Sequence, residues 1–145
     1  MKKRIQYTLT FLAFMAMILS TNCGGDDTPP EPTAQELAQE QLSATWSLGG
    51  GFIRLDGRDV SGNFQGFSLS YSGNSYSTTN AGELFSAAGT WSWVADSDRQ
   101  ILLDDGKQIN ISTLSDSDLT FTFQISGTGG EVAGLPGSYE ISLKK

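Results

Sequence analysis

Leu119-Thr120-Phe121-Thr122-Phe123-Gln124-Ile125 alternates apolar and polar side chains without a break. Successive side chains of an extended chain point to opposite faces, so Leu119, Phe121, Phe123 and Ile125 are buried together while Thr120, Thr122 and Gln124 stay wet. The stretch reads as a strand with one covered face. Downstream, Tyr139, Ile141 and Leu143 alternate with Glu140, Ser142 and Lys144; upstream, Phe67, Leu69 and Tyr71 alternate with Ser68, Ser70 and Ser72, and Trp91 and Trp93 share one face.

Turn chemistry separates these runs. Gly73-Asn74 is expected to join the strand ending at Ser72 to a second over Ser75–Thr79. Asp104-Asp105-Gly106 joins Gln100–Leu103 to Lys107–Ser112, and its Asp-Gly pair predicts a tight hairpin with both central residues at positive φ. Residues 80–88 read as irregular. In Gly49-Gly50-Gly51 the parity breaks: Trp46 and Leu48 fall on one face, Ile53 and Leu55 on the other, so a bulge or bend at the glycines is needed. No helix pattern or Gly-Lys-Ser/Thr follows these glycines, which excludes a phosphate-binding loop. Ahead of the strands, Thr33 as N-cap with Glu36 three residues later predicts a short helix through Gln41.

The count is about eight short antiparallel strands joined mostly by hairpins. An open meander of that size leaves two edges unprotected, and closure removes them. The expected fold is an all-β, small up-and-down β-barrel preceded by a short helix; a two-sheet sandwich satisfies the same periodicity.

Beyond the barrel, the N-terminal residues have the layout of an export signal. Lys2, Lys3 and Arg4 precede an apolar run from Ile5 to Leu19, then Ser20, Thr21 and Asn22, and then Cys23, the chain's one cysteine. The run falls short of the roughly 20 apolar residues that a spanning helix needs, so cleavage is the expected fate. The arrangement resembles a bacterial lipoprotein signal, which implies that Cys23 is acylated and becomes the first residue of the mature chain. Several acyl chains on one residue would give a stable membrane anchor. Asn22 stands where the usual motif has a small residue. The expected organisation is a signal peptide over 1–22, a lipidated acidic Pro-rich tether over 23–33 and the barrel domain over 34–145. Asp26 and Asp27 are similar to the surface-export signals of Bacteroidetes lipoproteins, and read equally well as a solvated linker. The resemblance implies the cell envelope, at the outer membrane.

From Leu42 to the C-terminus the chain is similar to lipocalin-like domains of Bacteroidetes lipoproteins. The likeness rests on Ala44-Thr45-Trp46 in place of the lipocalin Gly-x-Trp, on Phe67-Ser68-Leu69-Ser70-Tyr71, on Gly89-Thr90-Trp91-Ser92-Trp93 and on Leu135-Pro136-Gly137-Ser138-Tyr139. It implies a lipocalin-like barrel fold; the aromatic-lined meander is what points to a barrel mouth that holds a small apolar or amphipathic molecule.

Composition narrows the rest. Loss of residues 1–22 removes three cations, leaving six basic against 16 acidic side chains and a net charge of −10. Such a chain is repelled by nucleic acid. There is no histidine, and lipidation would consume the thiol, so the usual general base and thiol nucleophile are missing and no enzyme activity is expected. Asp96 with Asp98, Asp104 with Asp105 and Asp116 with Asp118 sit between strands, where Asp commonly bonds its own backbone; no metal or cofactor is expected. The candidate ligand residues are Trp46, Tyr71, Tyr76, Leu84, Phe85, Trp91, Trp93, Phe121 and Tyr139, with Phe123 beside them. An eight-strand barrel is just wide enough to be filled by side chains or to hold one small ligand. If these rings fill it, the alternative function is a surface module that binds a protein or glycan partner through its loops, residues 80–88 foremost and the glycine-rich 127–137 second.

Overall fold

The computed structural model describes residues 30–127 and 135–145. Cys23, the leader, most of the tether and most of the 127–137 loop lie outside the described residues. Helix α1 (Ala34–Leu42) starts where the capping box places it: the Glu36 amide donates to Thr33 Oγ1 at 3.2 Å, and the Thr33 amide donates to Glu36 Oε2 at 2.7 Å.

Among the described residues nine strands follow: β1 (Thr45–Leu55), β2 (Arg58–Asp59), β3 (Ser68–Ser72), β4 (Ser75–Thr79), β5 (Ala88–Trp93), β6 (Gln100–Leu103), β7 (Gln108–Leu114), β8 (Asp118–Ile125) and β9 (Gly137–Lys144). From β3 to β9 each pairs antiparallel with the next; β1 pairs with both β3 and β9, closing an eight-stranded barrel. The extra strand is the stub β2, a hairpin return from the end of β1. Its turn, Asp56-Gly57, has φ of +49° and +80°, the two-residue geometry that Asp-Gly favours. At Asp104-Asp105-Gly106 the expectation of that turn is corrected. Leu103 N–H donates to Lys107 C=O, so three residues intervene and only Gly106, at φ +85°, is left-handed. Gly73-Asn74 does form the two-residue turn, with Ser72 opposite Ser75.

The parity break in β1 is a bulge. Ser47 pairs with Lys144 and Phe52 with Ser142, so β1 advances five residues while β9 retreats two. The three surplus residues are an odd number, and they turn both Trp46 and Ile53 inward, each fully buried. Gly51 sits so close to β9 that a Cβ there would overlap the Ser142 carbonyl, while Gly50 has φ +78°. Farther along the seam, Asp56 clasps β9. Its amide donates to Ser138 C=O at 2.9 Å and its Oδ1 accepts from the Ser138 amide at 2.9 Å.

β8 shows the burial expected of Leu119, Phe121 and Phe123, all at or below 2% exposure, while Ile125 at its end is only partly buried. Together with inward residues of every strand of the closed ring they form one apolar core. Helix α1 covers one barrel end. Ala38 and Leu42 are buried, Trp46 Nε1 donates to Leu42 C=O at 3.0 Å, and Gln35 Nε2 donates to Ala95 and Ser97 carbonyls at 2.9 Å each. The β1–β2 turn, a 3₁₀ turn at Ser61–Phe64, the 80–87 loop and the β6–β7 turn lie at the other end, the mouth.

Candidate functional site

The interior is lined by the rings that alternation assigns to it. On the mouth side, Phe85 lies 6.0 Å from Phe67, 6.2 Å from Phe121 and 5.2 Å from Phe123, and Phe123 stacks on Tyr139 at 5.3 Å with the planes 8° apart. A second group comes from β3 and β5: Trp91 meets Tyr71 edge-on at 5.7 Å and Trp93 edge-on at 5.1 Å. Edge-to-face contact brings a ring's positive rim against its neighbour's negative face. The indole N–H groups of Trp91 and Trp93 are buried without a hydrogen-bond acceptor among the described residues. Trp46 stands apart at the helix end, with Lys145 Nζ 5.5 Å from its ring centroid.

The nine sequence candidates thus do not converge on one cavity. Trp46 is a plug beneath α1; Tyr71, Trp91 and Trp93 form one aromatic set; Phe85, Phe121 and Tyr139 form another; Tyr71 and Tyr76 are cross-strand partners. Burial pushes the Tyr71 phenol well up from its ordinary value, and also raises Tyr76, where Asp104 adds to the effect, and Tyr139. These phenols stay protonated and neutral at physiological pH.

Leu84 and Phe85 come from a loop yet are 1% and 5% exposed. They plug the mouth from above. Lys107, at the start of β7's approach, holds them there: its Nζ donates to Leu84 C=O at 2.5 Å and to Asp105 Oδ2 at 3.1 Å, and lies 4.8 Å from the Phe85 centroid. Thr78 adds two bonds at the loop's far end, its amide to Ala87 C=O and its hydroxyl to Ser86 C=O, each 2.9 Å.

Beside this plug the mouth keeps open space. A groove of about 170 Å³ is lined by Leu55, Val60, Phe64, Leu84, Leu135 and Tyr139, with Asn63 and Glu83 at its rim. A second of about 250 Å³ continues past Leu55, Val60 and Leu135 to Asp56 and Arg58. Leu135, 68% exposed, is the most open large apolar side chain among those described. Of the groove's apolar lining, the sequence candidates include Leu84 and Tyr139. Val60 and Phe64 follow the 56–57 hairpin in a stretch with no alternation, and a Val and a Phe flanked by Ser, Gly and Asn were the available signal.

Of the paired aspartates, Asp105 bonds the backbone of its own turn, while Asp104 and Asp118 bond across to neighbouring strands. Asp105 Oδ1 accepts from the Lys107 amide at 2.9 Å and Asp104 Oδ2 from the Thr90 amide at 3.1 Å, while Asp118 is bonded by Ser117 and by Lys144. Among the described residues no three His, Cys, Asp or Glu side chains are grouped to hold a metal ion. No protein-family profile matches the chain, and no curated protein is significantly similar to it.

Proposed function

We propose that this chain is a lipid-anchored, non-catalytic envelope protein, similar to lipocalin-like Bacteroidetes lipoproteins. Acylated at Cys23, it is held at the outer membrane, and its barrel mouth binds a small apolar or amphipathic molecule. The observation that carries the binding reading is the apolar groove of Leu55, Val60, Phe64, Leu84, Leu135 and Tyr139, set on a closed barrel whose inward side chains form one buried apolar core. Ligand sites are concave and mostly apolar with a few polar groups at the edge, and here Asn63 and Glu83 supply them. At about 170 Å³ the groove suits a molecule of several heavy atoms rather than a long chain. Titration of the labelled protein with hexanol or cyclohexanol, followed by NMR, tests this. Shifts confined to the groove residues and lost in Val60→Trp support it; shifts scattered over the surface, or unchanged by Val60→Trp, refute it.

That buried apolar core also fits a second reading, a scaffold whose outside binds an envelope protein or glycan. Buried Leu84 and Phe85 offer such a partner no surface, whereas Leu102 is 42% exposed beside an outer groove of about 340 Å³. Affinity capture from intact envelopes that Leu102→Ser weakens would support this reading. Equal capture by both proteins would remove Leu102 from it.

A further inference from the structure

Phe85 is the one ring of the mouth-side aromatic group that no strand supplies. The other members, Phe67, Phe121, Phe123 and Tyr139, lie on or directly beside β3, β8 and β9, whereas Phe85 rides on the irregular stretch between β4 and β5. That stretch turns through two left-handed positions, Asn80 at φ +52° and Gly82 at φ +58°. Its attachment at the tip is the Lys107 bond to Leu84 C=O; near its base, Asn80 Nδ2 reaches the Gln65 and Gly66 carbonyls at 3.3 and 3.4 Å. A carbonyl on a lysine ammonium and an aromatic ring beneath that same ammonium amount to a small amphipathic molecule, tethered to the barrel by its own backbone.

We propose that the space held by Leu84 and Phe85 is a ligand subsite that the chain occupies itself. A small neutral aromatic compound bearing a carbonyl displaces the pair, placing its ring among Phe67, Phe121 and Phe123 and its oxygen on Lys107. This extends the mouth-groove reading and rests on it, since the ligand enters across Leu84, which lines both spaces. Neutral rather than anionic ligands are favoured because Asp105 already lies 3.1 Å from Lys107 Nζ, and Asp104 precedes it in the same turn. The plug's closed state lowers apparent affinity by the fraction of molecules in which it is open.

The probes are acetophenone, ethylbenzene and benzoate, titrated calorimetrically into the unmodified protein, Phe85→Ala, Phe85→Leu and Phe85→Ala/Lys107→Met. Phe85→Ala is expected to bind acetophenone at least tenfold more tightly than the unmodified protein, in the order acetophenone, ethylbenzene, benzoate. Lys107→Met is expected to erase the preference for acetophenone over ethylbenzene while ring binding persists. Phe85→Leu, which leaves more of the core filled, is expected to fall between and carries the comparison if Phe85→Ala does not fold. No gain in affinity in a folded variant, or a preference that survives Lys107→Met, overturns the proposal.

Amide hydrogen exchange of the unmodified protein separates it from the groove reading. Displacement of the plug by acetophenone speeds exchange at Leu84 to Ala88. Binding in the groove alone slows it at Leu84, which leaves the mouth reading standing and overturns this one; unchanged exchange overturns both for this ligand.

Discussion

Three adjacent glycines make barrel closure measurable, because the structure assigns each a different cost for the same added methyl group. At Gly49 a Cβ would meet only Ser47 Oγ, at 3.7 Å, an ordinary contact. Gly49→Ala therefore acts mainly by restricting the unfolded chain and is expected to be neutral or stabilising by up to about 1 kcal/mol. At Gly50 a Cβ has open space, but φ is +78°. An L residue in that region costs roughly 1–2 kcal/mol, offset in part by the same unfolded-state gain, for a net loss of about 1 kcal/mol. At Gly51 the Cβ would overlap the Ser142 carbonyl, a backbone atom that moves only if β9 moves. Overpacking typically costs about 1–3 kcal/mol, and displacing one ladder hydrogen bond adds about 1 kcal/mol, so Gly51→Ala is expected to lose about 3 kcal/mol. Against a total of roughly 5–15 kcal/mol for a domain, that is a large fraction. Urea unfolding monitored by tryptophan fluorescence reads all three as midpoint shifts at constant slope. If Gly51→Ala is as well tolerated as Gly49→Ala, the β1–β9 seam is not paired as described and the bulge account of the parity switch fails.

Three further outcomes are expected. Trp46 is fully buried and its indole N–H holds the last turn of α1, so Trp46→Ala should cost about 3–5 kcal/mol by urea unfolding; a loss under 1 kcal/mol would contradict its place beneath the helix. Hydrogen bonds from Lys144 and Ser117 hold the Asp118 carboxyl below its usual range. Its contribution is therefore complete above the unfolded pKa near 3.8 and is lost as pH falls through the lower folded value. The Tm gap between the unmodified protein and Asp118→Asn should be widest near pH 6 and narrow as the pH falls below the unfolded pKa near 3.8, and a gap unchanged on acidification would refute the pairing. Intact mass of the protein from its own host should show a chain beginning at Cys23 with acyl groups attached; an unmodified Cys23 would remove the lipid anchor.

The fold was legible because alternation is a direct consequence of the pleat. β8 and β9 could be written down from their side chains alone, and the parity conflict between Trp46 and Ile53 located the bulge before any partner strand was known. Local turn rules were less decisive. Two Asp-Gly pairs occur, and the two-residue hairpin forms at 56–57, where Leu55 and Arg58 pair directly, rather than at 105–106, where an added Asp lengthens the loop. The candidate site was legible only in part. Inward parity put the rings on the buried side, Trp93 only partly, but carries no information on which of them meet, since that depends on the curvature of the closed sheet. Leu84 and Phe85 stood out as apolar residues in a polar loop, yet whether such residues face a partner or fold back is decided by Lys107, over twenty positions away. Val60 and Phe64 gave no periodic signal because the 3₁₀ turn that presents them has no sheet face.

On the function proposed above, the barrel's inward side chains take up its core and any ligand sits at the mouth. Native mass spectrometry of the protein isolated from its own envelopes, alongside Val60→Trp prepared the same way, tests it most directly. The expected result is a small added mass on the unmodified protein, released by mild activation and missing from Val60→Trp. Bare polypeptide in both preparations, or an added mass that Val60→Trp retains, would contradict it.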